Sequence, residues 1–266
     1  MKSKLVIVGA AGRMGRNIVS LASKSDDFQI IGAVERKDHP DIGKDAGVVV
    51  GISNSEVRLT EDYPPGTDVV IDFSSPDSVQ TTVKYCVENG AALVLGTTAL
   101  SNTHREILES ASREIAVIYG TNMSVGMNVL FSLVGRVAAL LGDEYDIEII
   151  EQHHRFKKDA PSGSALTVAQ NICEATGREF PDSIVHGRCG KDALRKKRTI
   201  GVHAVRAGDI TGIHSVIFSN IGEKVTLNHT AHSRICFASG ALKAAKWLIG
   251  KKPGSYKMDE VLGLNS

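Results

Sequence analysis

The sequence has few aromatic residues (5%, with a single Trp) and only 4 cysteines in 266 residues, and its net charge is +1. Each shortage excludes something. Scattered cysteines (Cys86, Cys173, Cys189, Cys236) with no C-x-x-C spacing leave neither a disulfide framework nor a thiolate metal site. They read as reduced thiols, so a cytoplasmic protein is expected. With 31 basic against 30 acidic residues, no global field points to nucleic acid. The basic run from Lys191 to Arg198 has no interleaved aromatics and reads as an exposed loop. No apolar run looks long enough to cross a bilayer. The first, Leu5-Val-Ile-Val8, is short and ends in glycines, so neither a secretory leader nor a membrane partner is expected.

What is present is a globular composition, 42% hydrophobic and 23% charged, large enough for two cores. The first half alternates short apolar runs (Leu5–Val8, Phe28–Val34, Asp68–Phe73, Ala91–Leu95, Ile115–Tyr119) with helical periodicities. That alternation predicts an α/β fold with a Rossmann-type doubly wound parallel sheet. Pro76 opens one predicted helix and Gly90 ends it. Thr103-His-Arg-Glu106 predicts a capping box for the next. After a long helix over about 127–141, consecutive strands (Thr199–Val205, Ile213–Ser219, Lys224–Thr230) predict a second α+β domain with a mixed or antiparallel sheet. The expected division is 1–124 for the doubly wound domain, 125–234 for the second domain, and 235–266 for a C-terminal helix that returns to the first domain.

Between the first strand and first helix stands Gly9-Ala10-Ala11-Gly12-Arg13-Met14-Gly15. Small residues there let a pyrophosphate approach the backbone and sit on the helix N-terminus. Glu35 lies at the offset for a carboxylate on the adenosine ribose 2′-OH, and Arg36 beside it suits a 2′-phosphate. Arg13 is placed to assist. The pair leaves NADH and NADPH both open as cofactor. Two later strand ends, Gly96-Thr97-Thr98 and Gly120-Thr121-Asn122-Met123, are expected to line the same crevice, although either alone reads as a polar turn.

The densest chemistry lies in Glu151-Gln-His-His-Arg-Phe-Lys-Lys-Asp-Ala-Pro-Ser-Gly-Ser-Ala165. A strand-like alternation from Tyr145 to Ile150 delivers His153 and His154 at a strand end. Pro161-Ser162-Gly163-Ser164 then opens a helix, with Ser162 or Ser164 as N-cap. Histidine moves protons near neutral pH, and a helix N-terminus holds a carboxylate. The bland alternative is a solvated charge run. The strand-end position and the helix start favour an oxidoreductase acting on an anion.

Taken in order, Gly9-x-x-Gly12-Arg13-Met14-Gly15, Glu35-Arg36, Gly96-Thr-Thr98, Asn122-Met-Ser-Val-Gly126, His153-His-Arg-Phe-Lys157-Lys-Asp-Ala-Pro-Ser-Gly163 and Arg206-Ala-Gly-Asp-Ile-Thr-Gly212 make the chain resemble, over essentially its whole length, the bacterial dihydrodipicolinate reductases. The resemblance implies a homotetramer that reduces a cyclic dicarboxylate imine with NADH or NADPH, with dinucleotide binding in 1–124 and substrate binding and oligomerisation in 125–234. It implies His153 as proton donor and acceptor, Lys157 as second proton donor, and His154, Gly163 and Ser164 on the substrate carboxylate. Three positions depart from that family's pattern: Ser164 for Thr, Met123 for Phe, and Ala99 for Gly. If position 99 needs φ > 0, Ala is disfavoured and the loop shifts. Three other readings compete. A semialdehyde dehydrogenase needs a nucleophilic cysteine beside a base. A nicotinamide sensor would bind cofactor without turnover. A metal site at His229 and His232 lacks a second cluster of ligands, so no metal is expected.

Overall fold

The computed structural model describes residues 1–264. The chain forms two compact units. One comprises Met1–Val125 and the segment from Arg234 onward; the other is Gly126–Ser233.

The first unit contains β1 (Ser3–Val8), α1 (Arg13–Ala22), β2 (Phe28–Val34), α2 (Ala46–Val49), β3 (Leu59–Thr60), β4 (Val69–Asp72), α3 (Pro76–Asn89), β5 (Ala92–Leu95), α4 (Asn102–Ala111) and β6 (Ala116–Tyr119). After α5 (Val125–Leu141) and the second unit, the chain adds α7 (Ile235–Leu248), β12 (Gly254–Tyr256) and α8 (Met258–Leu262) to it. Every strand pair is parallel, in the order β12-β6-β5-β4-β1-β2-β3. Strand order reverses between β1 and β4, so a crevice opens beyond their C-terminal ends. Alternate residues serve opposite faces: Leu5 and Ile7 pack with α1 and α7, Val6 and Val8 with α3 and α4. Burial on both faces explains why these strands read as unbroken apolar runs.

The second unit holds most of α5, a 3₁₀ turn (Gly142–Glu144), β7 (Asp146–His153), α6 (Gly163–Thr176), β8 (Ile184–Val185), β9 (Ile200–Arg206), β10 (Gly212–Asn220) and β11 (Glu223–Ala231). Its five-stranded sheet runs β11-β10-β7-β9-β8. The β11/β10 and β10/β7 pairs are antiparallel, and β7/β9 and β9/β8 are parallel. One face of the sheet joins α5 and α6 in a core that includes Met127, Val134, Ile147, Ile149, Val168 and Val216. The helices approach closely at Gly135, where a Cβ would lie 3.0 Å from both Ala175 Cβ and the Asn171 carbonyl oxygen.

Two expectations need correction, and one open choice is resolved. The cap of α4 lies at Ser101, whose hydroxyl accepts from the His104 amide while His104 Nδ1 receives the Ser101 amide. A histidine imidazole takes the part expected of Glu106 in a box at Thr103, so the helix begins earlier. Helix α6 starts with Gly163, and of the two candidate caps Ser162 is used. The segment Val125–Glu144 does reach the length and apolarity of a membrane span. Its Met127, Leu130, Val134 and Ala138 are nevertheless core residues, and Arg136 interrupts the run.

Candidate functional site

In the first unit the glycine turn is built by backbone proximity. Gly9 has φ 74°, and a Cβ there would lie 2.9 Å from the Phe73 carbonyl oxygen and Ser74 Cα. A Cβ at Gly15 would fall on the Gly9 carbonyl oxygen. Gly12 is the N-cap of α1, extended and without a side-chain hydrogen bond to the helix. No side chain competes with an anion for the first-turn amides. The Ala10 and Ala11 side chains are buried in the core, and Met14 packs against it.

Glu35 returns from the end of β2 across this turn. Its Oε2 accepts the Ala11 amide at 3.1 Å and its Oε1 the Arg36 amide at 3.1 Å. With Gly9, Gly12, Arg36, Phe73 and Ser78 it lines a cleft of about 520 Å³. Arg36 is exposed, its Nε 3.3 Å from Asp38 Oδ1, and Arg13 is exposed at the start of α1. A backbone cradle that a Cβ would fill, an uncapped helix N-terminus, a carboxylate at the second strand and cations at the rim together fit a dinucleotide.

The other two loops contribute differently. Thr97 is buried and its Oγ1 donates to Asp72 Oδ1 at 3.0 Å, so it holds the loop in place. Thr98 is exposed. A Cβ at Gly96 would strike the Phe73 ring. Ala99 does adopt φ 60°. Gly120 and Thr121 are half-buried, Asn122 Oδ1 accepts the Ser124 amide at 2.9 Å, and Met123 is buried in the core. Asp72 and Arg16 were missed. The former also accepts the Ser74 amide at 2.8 Å. The latter ties the turn to α2 by donating to the Ala11 and Val49 carbonyls at 2.8 and 3.1 Å. An aspartate ending the apolar run Val69-Val-Ile-Asp72 was a readable signal.

In the second unit, β7 turns Ile147, Ile149, Glu151 and His153 to its buried face. His153 Nδ1 lies 2.6 Å from Glu151 Oε2. Glu151 is fully buried and also takes both Arg206 amino groups at 2.8 Å and the Ser162 amide at 2.9 Å. Burial alone would raise this carboxyl, but the hydrogen bonds from His153, Arg206 and Ser162 outweigh it and take the pKa down to about 2. The ionised carboxylate fixes the proton of His153 on Nδ1 and leaves Nε2 to exchange one. Gly212 stands opposite, where a Cβ would be 3.2 Å from Nε2.

In the sequence Arg206 stands out only as part of a motif, and Glu151 only as the first residue of its segment. Cross-strand register explains the cluster: His153 pairs with Arg206, and Glu151 with His214. An acidic residue two positions before a histidine on an alternating strand was the available signal. Lys157 Nζ is 2.8 Å from Asp159 Oδ1, and the Arg206 guanidinium donates to the Asp159 carbonyl at 2.6 Å. His154 is half-buried, its ring 6.4 Å from that of the exposed Phe156. Gly163 opens α6, and Ser164 beside it is buried.

Among the described residues no three of His, Cys, Asp or Glu converge as a metal site. Burial, and after it the charge of Asp72, pushes the Cys86 thiol far up; burial also raises Cys173 and Cys236. None of these three thiols is activated as a nucleophile.

Comparison with known proteins joins these observations. Residues 3–123 match the family model described as dihydrodipicolinate reductase, N-terminus, and residues 126–262 the one described as dihydrodipicolinate reductase, C-terminus. The chain is similar to the 4-hydroxy-tetrahydrodipicolinate reductases of Hahella chejuensis (42% identity over 98% of this chain and 99% of that one) and Anaeromyxobacter dehalogenans (43%, 98% of each). Among solved structures, a dipicolinate-bound dihydrodipicolinate reductase from Paenisporosarcina sp. TG-14 shares the fold, with TM-score 0.70, 22% identity, and 98% and 99% of the two chains covered.

Proposed function

The chain belongs to the dihydrodipicolinate reductase family, and from that premise we propose how its residues divide the work. It is an NAD(P)H-dependent oxidoreductase that converts 4-hydroxy-tetrahydrodipicolinate to tetrahydrodipicolinate in the diaminopimelate route to lysine. The first unit holds the dinucleotide through the turn from Gly9 to Met14, with Glu35 and Arg36 at the adenosine end and the loops at Gly96–Thr98 and Gly120–Met123 framing the crevice. The second unit holds the substrate.

When bound, the reduced nicotinamide supplies the hydride. Loss of the hydroxyl as water takes up one proton and releases another from the adjacent ring carbon, so it is proton-neutral; hydride addition to the unsaturated ring so formed leaves a carbanion-like centre that takes up one proton. His153 acts as proton donor and acceptor in these transfers, and Lys157 as the second proton donor. The α6 amides at Gly163 and Ser164, with His154, bind a substrate carboxylate. The buried Glu151–His153 hydrogen bond carries this reading, because it fixes which imidazole nitrogen exchanges the proton. Four copies assemble, burying the outer face of the second sheet, where Ile150, Ile213 and Ile217 are half-exposed. The protein works in the cytoplasm.

The test is cofactor oxidation in a coupled assay, with substrate generated from pyruvate and aspartate semialdehyde by the preceding synthase. Wild type should oxidise NADH or NADPH only when the synthase is present. His153→Ala and Lys157→Ala should each lose on the order of 100-fold in kcat while still binding cofactor. Near-normal turnover in either variant would remove that residue from its role. Cofactor binding without oxidation would favour the sensor reading. Light scattering on the eluted protein checks the tetramer.

A further inference from the structure

His214 lies on β10 opposite Glu151 and is 2% exposed, yet it has no part in the mechanism above. Its Nε2 is 3.2 Å from Ser162 Oγ. That same oxygen accepts the Ala165 amide at 3.2 Å as the cap of α6. The Ser162 amide donates to Glu151, and Glu151 holds His153. The loop closes where the His214 ring meets the His153 ring edge-on, centroids 5.2 Å apart. Four residues therefore form one ring: His153, Glu151, Ser162 (through its amide and its hydroxyl) and His214.

This closure has chemical content. Since Ser162 Oγ accepts from Ala165, its own proton is available to donate to His214 Nε2. The His214 proton then sits on Nδ1, a buried atom with no hydrogen-bond partner. Leaving such an atom unpaired is unfavourable, and the other nitrogen supplies the compensation by locking the serine. Burial first, and then the charges of His153, His229 and Lys157, keep His214 neutral down to about pH 3, although Glu151 pulls the other way. Arg206 on β9 faces the cluster from the far side of Glu151. A neutral ring leaves His153 free to carry the proton.

We propose that His214 is a positioning residue: through Ser162 it sets the N-terminal turn of α6, and so the substrate carboxylate, in register with His153. The inference rests on the assignment of His153 and α6 above. Its expected signature is a coupled loss of dicarboxylate affinity and proton transfer, with the cofactor untouched.

The experiment compares wild type with His214→Leu, His214→Gln, Ser162→Ala and the His214→Leu/Ser162→Ala double variant. Pyridine-2,6-dicarboxylate binding is measured by calorimetry, NADPH binding by fluorescence, and kcat and KM across pH by the coupled assay. Losing the serine lock should weaken dicarboxylate binding and raise KM by about tenfold. His214→Gln, whose amide reaches the Nε2 position, should restore both to within about threefold. The double variant should be no worse than either single one, because both break the same link. NADPH affinity should not move. His214→Leu with unchanged KM and dicarboxylate affinity would overturn the proposal, as would additive losses in the double variant. If His214→Leu does not fold, the Gln and Ser162 variants decide by the same measurements. Wild type that binds no dicarboxylate and turns nothing over would instead remove the functional reading beneath it.

Discussion

Glu151 keeps its charge in a fully buried place because His153, the Arg206 guanidinium and the Ser162 amide converge on it. Glutamine at this position would preserve the shape while leaving Arg206 without a counter-charge. Breaking one side of a buried pair leaves the other uncompensated. Glu151→Gln is therefore expected to lose about 3 kcal/mol of stability in urea unfolding at neutral pH. It should also lose on the order of 100-fold in kcat, since the imidazole tautomer is no longer fixed. The pH dependence has a definite sign. The folded pKa of about 2 lies below the ordinary 4.5, so this stabilisation is complete above 4.5 and is lost as pH falls towards 2. The gap between wild type and variant should narrow through that window, and a constant gap would show that the charge is not the cause. Ala99 tests a smaller effect. Its φ of 60° is a conformation that L side chains resist, so Ala99→Gly should add about 0.5–1 kcal/mol in a thermal melt. Loss of stability would mean that the Ala methyl makes compensating contacts.

At the scale of elements, α1 works because it starts where another backbone almost touches it. Gly15 lets the helix lie on the Gly9 carbonyl, and Gly12 leaves its first amides without a side-chain cap. Gly15→Ala must push the two apart, and NADPH affinity measured by fluorescence should fall by at least about tenfold. Unchanged affinity would mean that the turn yields cheaply. Elements held by strong local signals were readable from sequence alone: α1 and β2 span the expected residues, and α3 runs from Pro76 to a left-handed cap at Gly90. What escaped were α2, β3, β8, β12 and α8, each five residues or fewer. Such pieces carry too little periodicity to show, and β12 exists because it pairs with β6 across a long stretch of chain. Site residues divide in the same way. His153 and the α6 start were legible as motif and cap, whereas Glu151, Arg206 and His214 meet only through strand register, which neighbouring residues do not reveal.

The whole molecule is asymmetric in how its two units use the chain. Gly126–Ser233 is continuous and encloses its own core between α5, α6 and one face of its sheet. The first unit is interrupted, and α7 returns to pack on α1 and on β4, β5 and β6. Ala238, Ala241, Ala244 and Ala245 of α7 are wholly buried there. Without that helix, one face of three central strands would lie bare, and a parallel sheet needs cover on both faces. The two excised pieces should therefore behave differently. Residues 126–233 are expected to give a cooperative thermal transition by circular dichroism and dispersed amide resonances. Residues 1–125 should not, and should bind the dye ANS through the exposed face. Joining 1–125 to 234–264 by a short glycine-rich linker should restore both a cooperative transition and NADPH binding, because the missing helix is back while the second unit is still absent. A cooperative, ANS-silent 1–125 would show that α7 is an accessory to this unit, and the location of the first core would have to be redrawn around α3 and α4.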